Sequence, residues 1–113
     1  LDELGPRVTN DGVEGRIIHI DRFGNCITNL TADHFGGRLG AGASLNVNQQ
    51  RVTGFREFFS QTKPRSDEKL FMILGSAGFI EIAAQNASAA SILNVRRGDR
   101  VALAGAAKST VRG

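Results

Sequence analysis

The chain holds a single cysteine, Cys26, in 113 residues, so no disulfide can close within it. A lone thiol fits a reducing compartment, and a cytoplasmic setting is expected. Tryptophan and tyrosine are absent, and histidine occurs only at His19 and His34. With no second cysteine and no His-x-x-x-His spacing, no metal site is expected. His19 stands in an apolar run, where a packed, hydrogen-bonded imidazole is the plainer reading. Long hydrophobic runs are missing as well. The stretch 71–74 falls far short of the roughly 18 residues that cross a bilayer, so no membrane partner is expected. No basic segment leads into an apolar core at the start, as a secretory leader would require. There is no Gly-x-x-x-x-Gly-Lys and no dinucleotide fingerprint. Neither histidine stands near a recognisable serine or cysteine nucleophile, and Cys26 falls inside a strand pattern. By its residues alone the chain reads as a binding module.

What is present is ordinary globular composition, 41% hydrophobic and 22% charged, enough for one compact domain and not two. Glycine is abundant at 14 residues, against an average of about 7%, and it separates many short segments. Residues 1–12 are polar and broken by Gly5, Pro6 and Gly12, and read as a linker. The first residue is Leu1 and not Met, so the chain reads as a fragment of a longer protein or an excised domain. Residues 13–104 are expected to form the domain and 105–113 a flexible tail. The net charge of +3 and a pI near 9.8 suggest nucleic acid as a partner. The basic residues are scattered, however, and dense only at Arg96, Arg97 and Arg100 and at Lys63 and Arg65. That pattern favours a solvated face over a nucleic-acid surface.

Strands are expected at 13–21, 26–30, 44–48, 52–59, 69–74, 79–84 and 100–103. Gly54 marks a candidate bulge, and Gly75-Ser76-Ala77-Gly78 a hairpin turn. Thr31 is placed to cap a turn through Phe35, and Asn86 or Ser88 to cap a helix over 87–93. The fold class is therefore all-β: a small antiparallel β-barrel of about seven short strands with one or two short helices, a sandwich being the alternative.

Four stretches could carry binding chemistry. Asp21-Arg22-Phe23-Gly24-Asn25 joins two strands, but in the order Gly-Asn, where a plain hairpin would use Asn-Gly. A carboxylate suits an ammonium group, a side-chain amide matches the paired donor and acceptor of an adenine edge, and an aromatic ring stacks on a purine. The same residues also make an ordinary turn. Ser76 in the small 75–78 connection offers a hydroxyl and an amide to a carboxylate, or is simply a hairpin residue. Gln85, Asn86 and Ala87 open a helix, either presenting backbone amides to a ring nitrogen or merely capping. Of Phe58 and Phe59, adjacent on a strand, one should face the core and the other stand outward. Glu81 and Asp21 are a conceivable carboxylate pair, although no spacing demands it.

Two of these stretches together carry a resemblance. GRIIHIDRFGNCITN at 15–29, GSAGFIEIAAQNASAA at 75–90 and then Gly98-Asp99-Arg100-Val101 resemble the C-terminal domain of the S-adenosyl-L-methionine (SAM) hydrolase (adenosine-forming) family. That family also contains the SAM-dependent fluorinase and chlorinase. The resemblance spans about 13–104 and implies a two-domain enzyme in which this barrel packs on the N-terminal domain of a neighbouring subunit in a homotrimer, with SAM between them. It implies that Asp21 holds the methionine amino group, Phe23 lies against the purine and Asn25 bonds the purine edge. Ser76 would take the amino-acid end, the backbone of Gln85, Asn86 and Ala87 would meet adenine, and Phe59 would supply the other aromatic surface. SAM is the substrate and no cofactor is implied. The catalytic residues are implied to lie in the other domain, so none is named here and the isolated domain is expected to be inactive.

The sequence departs from the family pattern at three places. Gly75 stands where asparagine is common before the serine, and Ala77 and Ala84 stand where the halogenases carry arginine. The last two favour hydrolase over halogenase. The segment 63–68 also makes a longer loop than the family pattern suggests, which bears on Phe59. The rival readings are a non-catalytic basic barrel that binds RNA or DNA, and a purely structural oligomerisation domain.

Overall fold

A computed structural model describes residues 5–9, 12–36, 43–56 and 69–104. Nine strands are described: β1 (Arg7–Thr9), β2 (Gly12–Ile20), β3 (Cys26–Thr31), β4 (Ser44–Val47), β5 (Gln50–Val52), β6 (Gly54–Arg56), β7 (Leu70–Leu74), β8 (Phe79–Ala84) and β9 (Arg100–Ala104). They form one sheet in the order β5-β4-β9-β2-β3-β8-β7-β6, with β1 also paired to β2. The two ends of that order, β5 and β6, are consecutive in the chain and separated only by Thr53. The backbone itself thus joins the edges, and the sheet is nearly closed into the expected all-β barrel.

Alternation decides what faces inward. In β3, Cys26, Thr28 and Leu30 are buried while Ile27, Asn29 and Thr31 are less so. Thr28 is polar but satisfied, its Oγ1 donating to the Ile80 carbonyl at 2.7 Å and accepting from the Leu30 N–H at 3.1 Å. The interior is filled by Ile17, Leu30, Phe35, Leu45, Val47, Val52, Met72, Ile80, Ile82, Leu93 and Val101. Each such side chain contributes about 1.5–3 kcal/mol of burial. The register between β2 and β3 shifts between Ile17 and His19, a bulge that leaves Ile18 exposed on the surface.

The helical turns fall where capping residues allow. A 3-10 turn covers Ala32–Phe35; the Thr31 N–H donates to His34 Nδ1 at 2.9 Å, and Phe35 is buried. Helix α1 (Ala89–Leu93) starts two residues later than expected. Asn86 takes a left-handed φ of 51° and Ala87 bridges back to Ala84, so Ser88 becomes the N-cap, accepting from the Ser91 N–H at 3.1 Å. The C-terminal carbonyls of α1 are met by the β4–β5 hairpin. Asn48 Nδ2 donates to the Leu93 and Asn94 carbonyls at 2.7 and 3.2 Å, and Gln50 Nε2 to that of Ile92 at 3.2 Å.

Three details differ from the sequence expectation. Strand β1 lies inside the stretch read as a linker, where its backbone pairs with β2. The single strand expected at 52–59 is broken at Thr53, giving β5 and β6 on opposite edges of the sheet. One pairing is parallel: β6 runs alongside β7. Phe58, Phe59 and the loop 63–68 lie outside the described residues, as does 105–113.

Candidate functional site

The connection after β2 is a closed hydrogen-bonded turn. Asp21 Oδ1 accepts the N–H groups of Phe23 and Asn25 at 2.9 and 3.0 Å, and Oδ2 accepts Asn25 Nδ2 at 3.1 Å. The Gly24 N–H donates to the Asp21 carbonyl at 2.9 Å. Gly24 has φ +86°, and a Cβ there would run into Ser88. This lets its carbonyl approach α1 and accept the Ala90 N–H at 2.9 Å. The ordinary turn anticipated from these residues is therefore built, and it leaves chemistry unused. Among the described residues nothing takes the Asn25 amide oxygen or its second N–H, Asp21 keeps acceptor capacity on Oδ2, and Phe23 is 71% exposed with the Arg22 guanidinium 5.8 Å from its ring centroid.

Burial would raise the Asp21 carboxyl, but the hydrogen bonds from Asn25 and Phe23, helped by the nearby His19 charge, hold it below the usual carboxylate range. Glu81 behaves oppositely: burial first, and then the Asp21 charge, push its carboxyl up. Cys26 is fully buried, and burial with the same Asp21 charge pushes its thiol up to about 11, so it is no nucleophile near neutral pH.

The registers bring distant residues into one row on the outer face of the sheet. His19 pairs with Ile27, Ile27 with Glu81, Glu81 with Ile73, and Ile73 with Arg56. Glu81 lies against the 75–78 turn, where a Cβ on Gly75 would meet its carboxylate. The asparagine common in the family at that position would have to displace it. Ser76 and Ala77 are exposed on the same turn. At the other end of β8, Gln85 donates its N–H to the Lys69 carbonyl at 2.9 Å, and Asn86 and Ala87 are exposed. Beside them the Arg56 guanidinium lies 3.8 Å from the Phe71 ring centroid and donates through Nη2 to Gln85 Oε1 at 3.2 Å.

A site shared by the 21–25 and 75–78 connections needs both to address one ligand. By register, the 21–25 and 85–87 turns share one end of β8, and the 75–78 turn stands at the other. Six residues of strand separate them, roughly 17 Å. Against that need, the two connections stand at opposite ends of β8, so no single group of a ligand meets both. In the sequence Glu81 was a conceivable participant with no spacing to support it, and Arg56 was missed altogether. The sequence signal for Arg56 was weak: it stands beside Glu57 within an aromatic-rich strand pattern.

The basic residues gather elsewhere. A groove of about 390 Å³ is lined by Arg16, Asn48, Gly98, Asp99 and Arg100. Its charges are partly matched, with Arg100 Nε 3.0 Å from Glu14 Oε2 and Arg16 Nη1 donating to the Gly98 carbonyl at 2.9 Å. Among the described residues no group of three or more His, Cys, Asp or Glu side chains could hold a metal ion, and no helix is long and apolar enough to cross a membrane.

Several known proteins are similar to this chain. The family described as SAM hydroxide adenosyltransferase C-terminal domain matches residues 15–102. The (R)-S-adenosyl-L-methionine hydrolase of Thermus thermophilus is 34% identical over 98 residues, covering 87% of this chain and 34% of that protein. The (R)-S-adenosyl-L-methionine hydrolase of Methanocaldococcus jannaschii is 29% identical over 98 residues, covering 83% and 36%. The chain thus spans about a third of the length of these curated relatives. Among solved structures, a conserved hypothetical protein from Thermus thermophilus superposes with a TM-score of 0.60 at 33% identity, over 80% of this chain and 34% of that one. An uncharacterized conserved protein from Thermotoga maritima gives 0.69 at 27% identity, over 88% and 38%.

Proposed function

The chain belongs to the SAM hydroxide adenosyltransferase C-terminal domain family, and from that premise we propose that it is the adenosyl- and methionine-binding barrel of an enzyme that hydrolyses SAM to adenosine and L-methionine. The observation that carries this reading is that the family match at 15–102 includes all three turns that frame the outer face of β8. In this reading the purine stacks on the exposed Phe23, worth about 1–3 kcal/mol, and its edge meets the second N–H and the amide oxygen of Asn25. The turn of Gln85, Asn86 and Ala87 offers backbone amides beside it. Asp21 takes the ammonium group on its remaining acceptor site. The ammonium and carboxylate of methionine sit on one carbon, so Ser76, at the far end of β8 from Asp21, is given no contact with it, and Glu81 supplies negative charge within reach of Asp21.

Hydrolysis forms a bond from water oxygen to the ribose C5′ and breaks the C5′–S bond. The electron pair goes to sulfur, a neutral thioether leaves, and the water gives up a proton. Because the sulfonium charge disappears along this path, carboxylates near sulfur favour bound substrate over the transition state. Asp21 and Glu81 thus act in binding and orientation, and the residues that handle water belong to the remainder of the enzyme. That remainder is an N-terminal domain contributed by a neighbouring subunit of a homotrimer. The halogenase alternative is disfavoured by Ala77 and Ala84.

The test is calorimetric titration of adenosine into the intact protein and its Asn25→Ala variant, with a thermal melt of each. Loss of the purine-edge bonds should weaken adenosine binding about 5- to 150-fold, from 1–3 kcal/mol. A lowered melting temperature with unchanged affinity would leave Asn25 a turn residue and remove the purine assignment.

A further inference from the structure

Arg56 is the most deeply buried charge among the described residues, at 9% exposure, and no carboxylate among them pairs with it. It lies on β6 opposite Ile73, while its neighbour across from Phe71 is Gly54, which has no side chain. The guanidinium stacks on Phe71, 3.8 Å from the ring centroid. Its one hydrogen bond to a described residue goes to Gln85 Oε1. Phe71 and Arg56 lie outside the central apolar cluster, on the face that carries Glu81.

A guanidinium has five N–H donors and no acceptor. An amide beside it must therefore turn its oxygen inward and its NH2 away, since the reverse would set donors against a buried cation. Gln85 would otherwise be free to present either end. We propose that Arg56 is a positioning residue for the purine end of the site: it fixes the Gln85 side chain as a donor, and Gln85 Nε2 bonds a ring nitrogen of adenine. This rests on the purine-site reading above and adds to it a side-chain contact, with Arg56 setting its polarity.

The experiment compares adenosine with its three deaza analogues, in which N1, N3 or N7 is replaced by C–H. Each is titrated into the intact wild-type protein and into Arg56→Met, Arg56→Lys and Gln85→Met, with a melt of every protein. One analogue should bind wild type about 5- to 20-fold more weakly than adenosine, the loss of one hydrogen bond in a desolvated site. That penalty should collapse to less than about 2-fold in Gln85→Met, which removes the amide, and shrink in Arg56→Met, where the amide is free to present either end. It should persist in Arg56→Lys, which keeps a donor-only cation beside the amide. A merely structural Arg56 would lower the melting temperature and leave the penalty intact in Arg56→Met, overturning the proposal. Should Arg56→Met fail to fold, a penalty that survives in Gln85→Met overturns it equally. If wild type binds adenosine but tolerates all three analogues, Gln85 is no ring-nitrogen donor and the purine site stands without it. If wild type does not bind adenosine, the site reading fails and this inference with it.

Discussion

Two carboxylates on one face carry opposite burdens. Asp21 is stabilised as an anion by the N–H groups of its own turn, so its contribution to stability is present above the ordinary carboxylate range and is lost as pH falls through its lowered value. The Glu81 carboxyl is raised by burial and by Asp21. Its folded form prefers the proton, so it contributes most below the ordinary range and costs stability as pH rises through its raised value. Glu81→Gln keeps the shape and removes the charge. It should raise stability at pH 7 by a few tenths to about 1 kcal/mol, a size set by screening at a half-exposed position. The gain should vanish below about pH 4, where the wild-type carboxyl is protonated folded or unfolded. Chemical denaturation at several pH values measures this, and a loss of stability at neutral pH would mean that Glu81 has a favourable partner.

Among the elements, the β4–β5 hairpin combines a suitable residue with an unsuitable one. Asn48 and Gln49 both have positive φ, 51° and 68°, as a two-residue hairpin turn requires. Asparagine tolerates this region and its side chain also holds the end of α1, whereas the Gln49 side chain is exposed and holds no carbonyl of that helix. Gln49→Gly should therefore stabilise the protein by about 1 kcal/mol by removing the left-handed strain. Asn48→Gly, which takes the same conformation freely, should destabilise it because the Leu93 and Asn94 carbonyls lose their donor. Shifts of the urea midpoint in opposite directions at constant slope would show both effects.

At the scale of the whole molecule, the barrel presents two unlike surfaces. The groove near Arg16 and Arg100 is basic, with part of its charge matched internally by Glu14 and the Gly98 carbonyl. The outer face of β8 has Glu81 at its centre, an exposed Phe23 at one end and an exposed Ser76 at the other. On the proposed division of labour the 113-residue chain binds but does not cleave. Incubated with SAM, it should release no adenosine by chromatography, while the intact protein does. Turnover by the isolated chain would place the water-handling groups inside this barrel.

Local chemistry made much of this protein legible in its sequence. Alternation of Leu45 and Val47 with polar neighbours, glycines between short apolar runs, and the capping residues Thr31 and Ser88 act over a few residues, so strands, turns and the all-β class could be read directly. The unusual order of the 21–25 turn was visible for the same reason, and with the 75–90 stretch it carried the family resemblance. Tertiary structure alone decided what depends on register. The break at Thr53 sends β5 and β6 to opposite edges, and the β6–β7 pair is parallel. The row from His19 through Glu81 to Arg56 rests on pairings as distant in the chain as Ile27 with Glu81. Pairing of that kind is set by which faces bury together around a closed sheet, a property of the assembled barrel and not of any segment. For that reason the place of Glu81 between the turns and the cation behind Gln85 emerged only once the chain was folded.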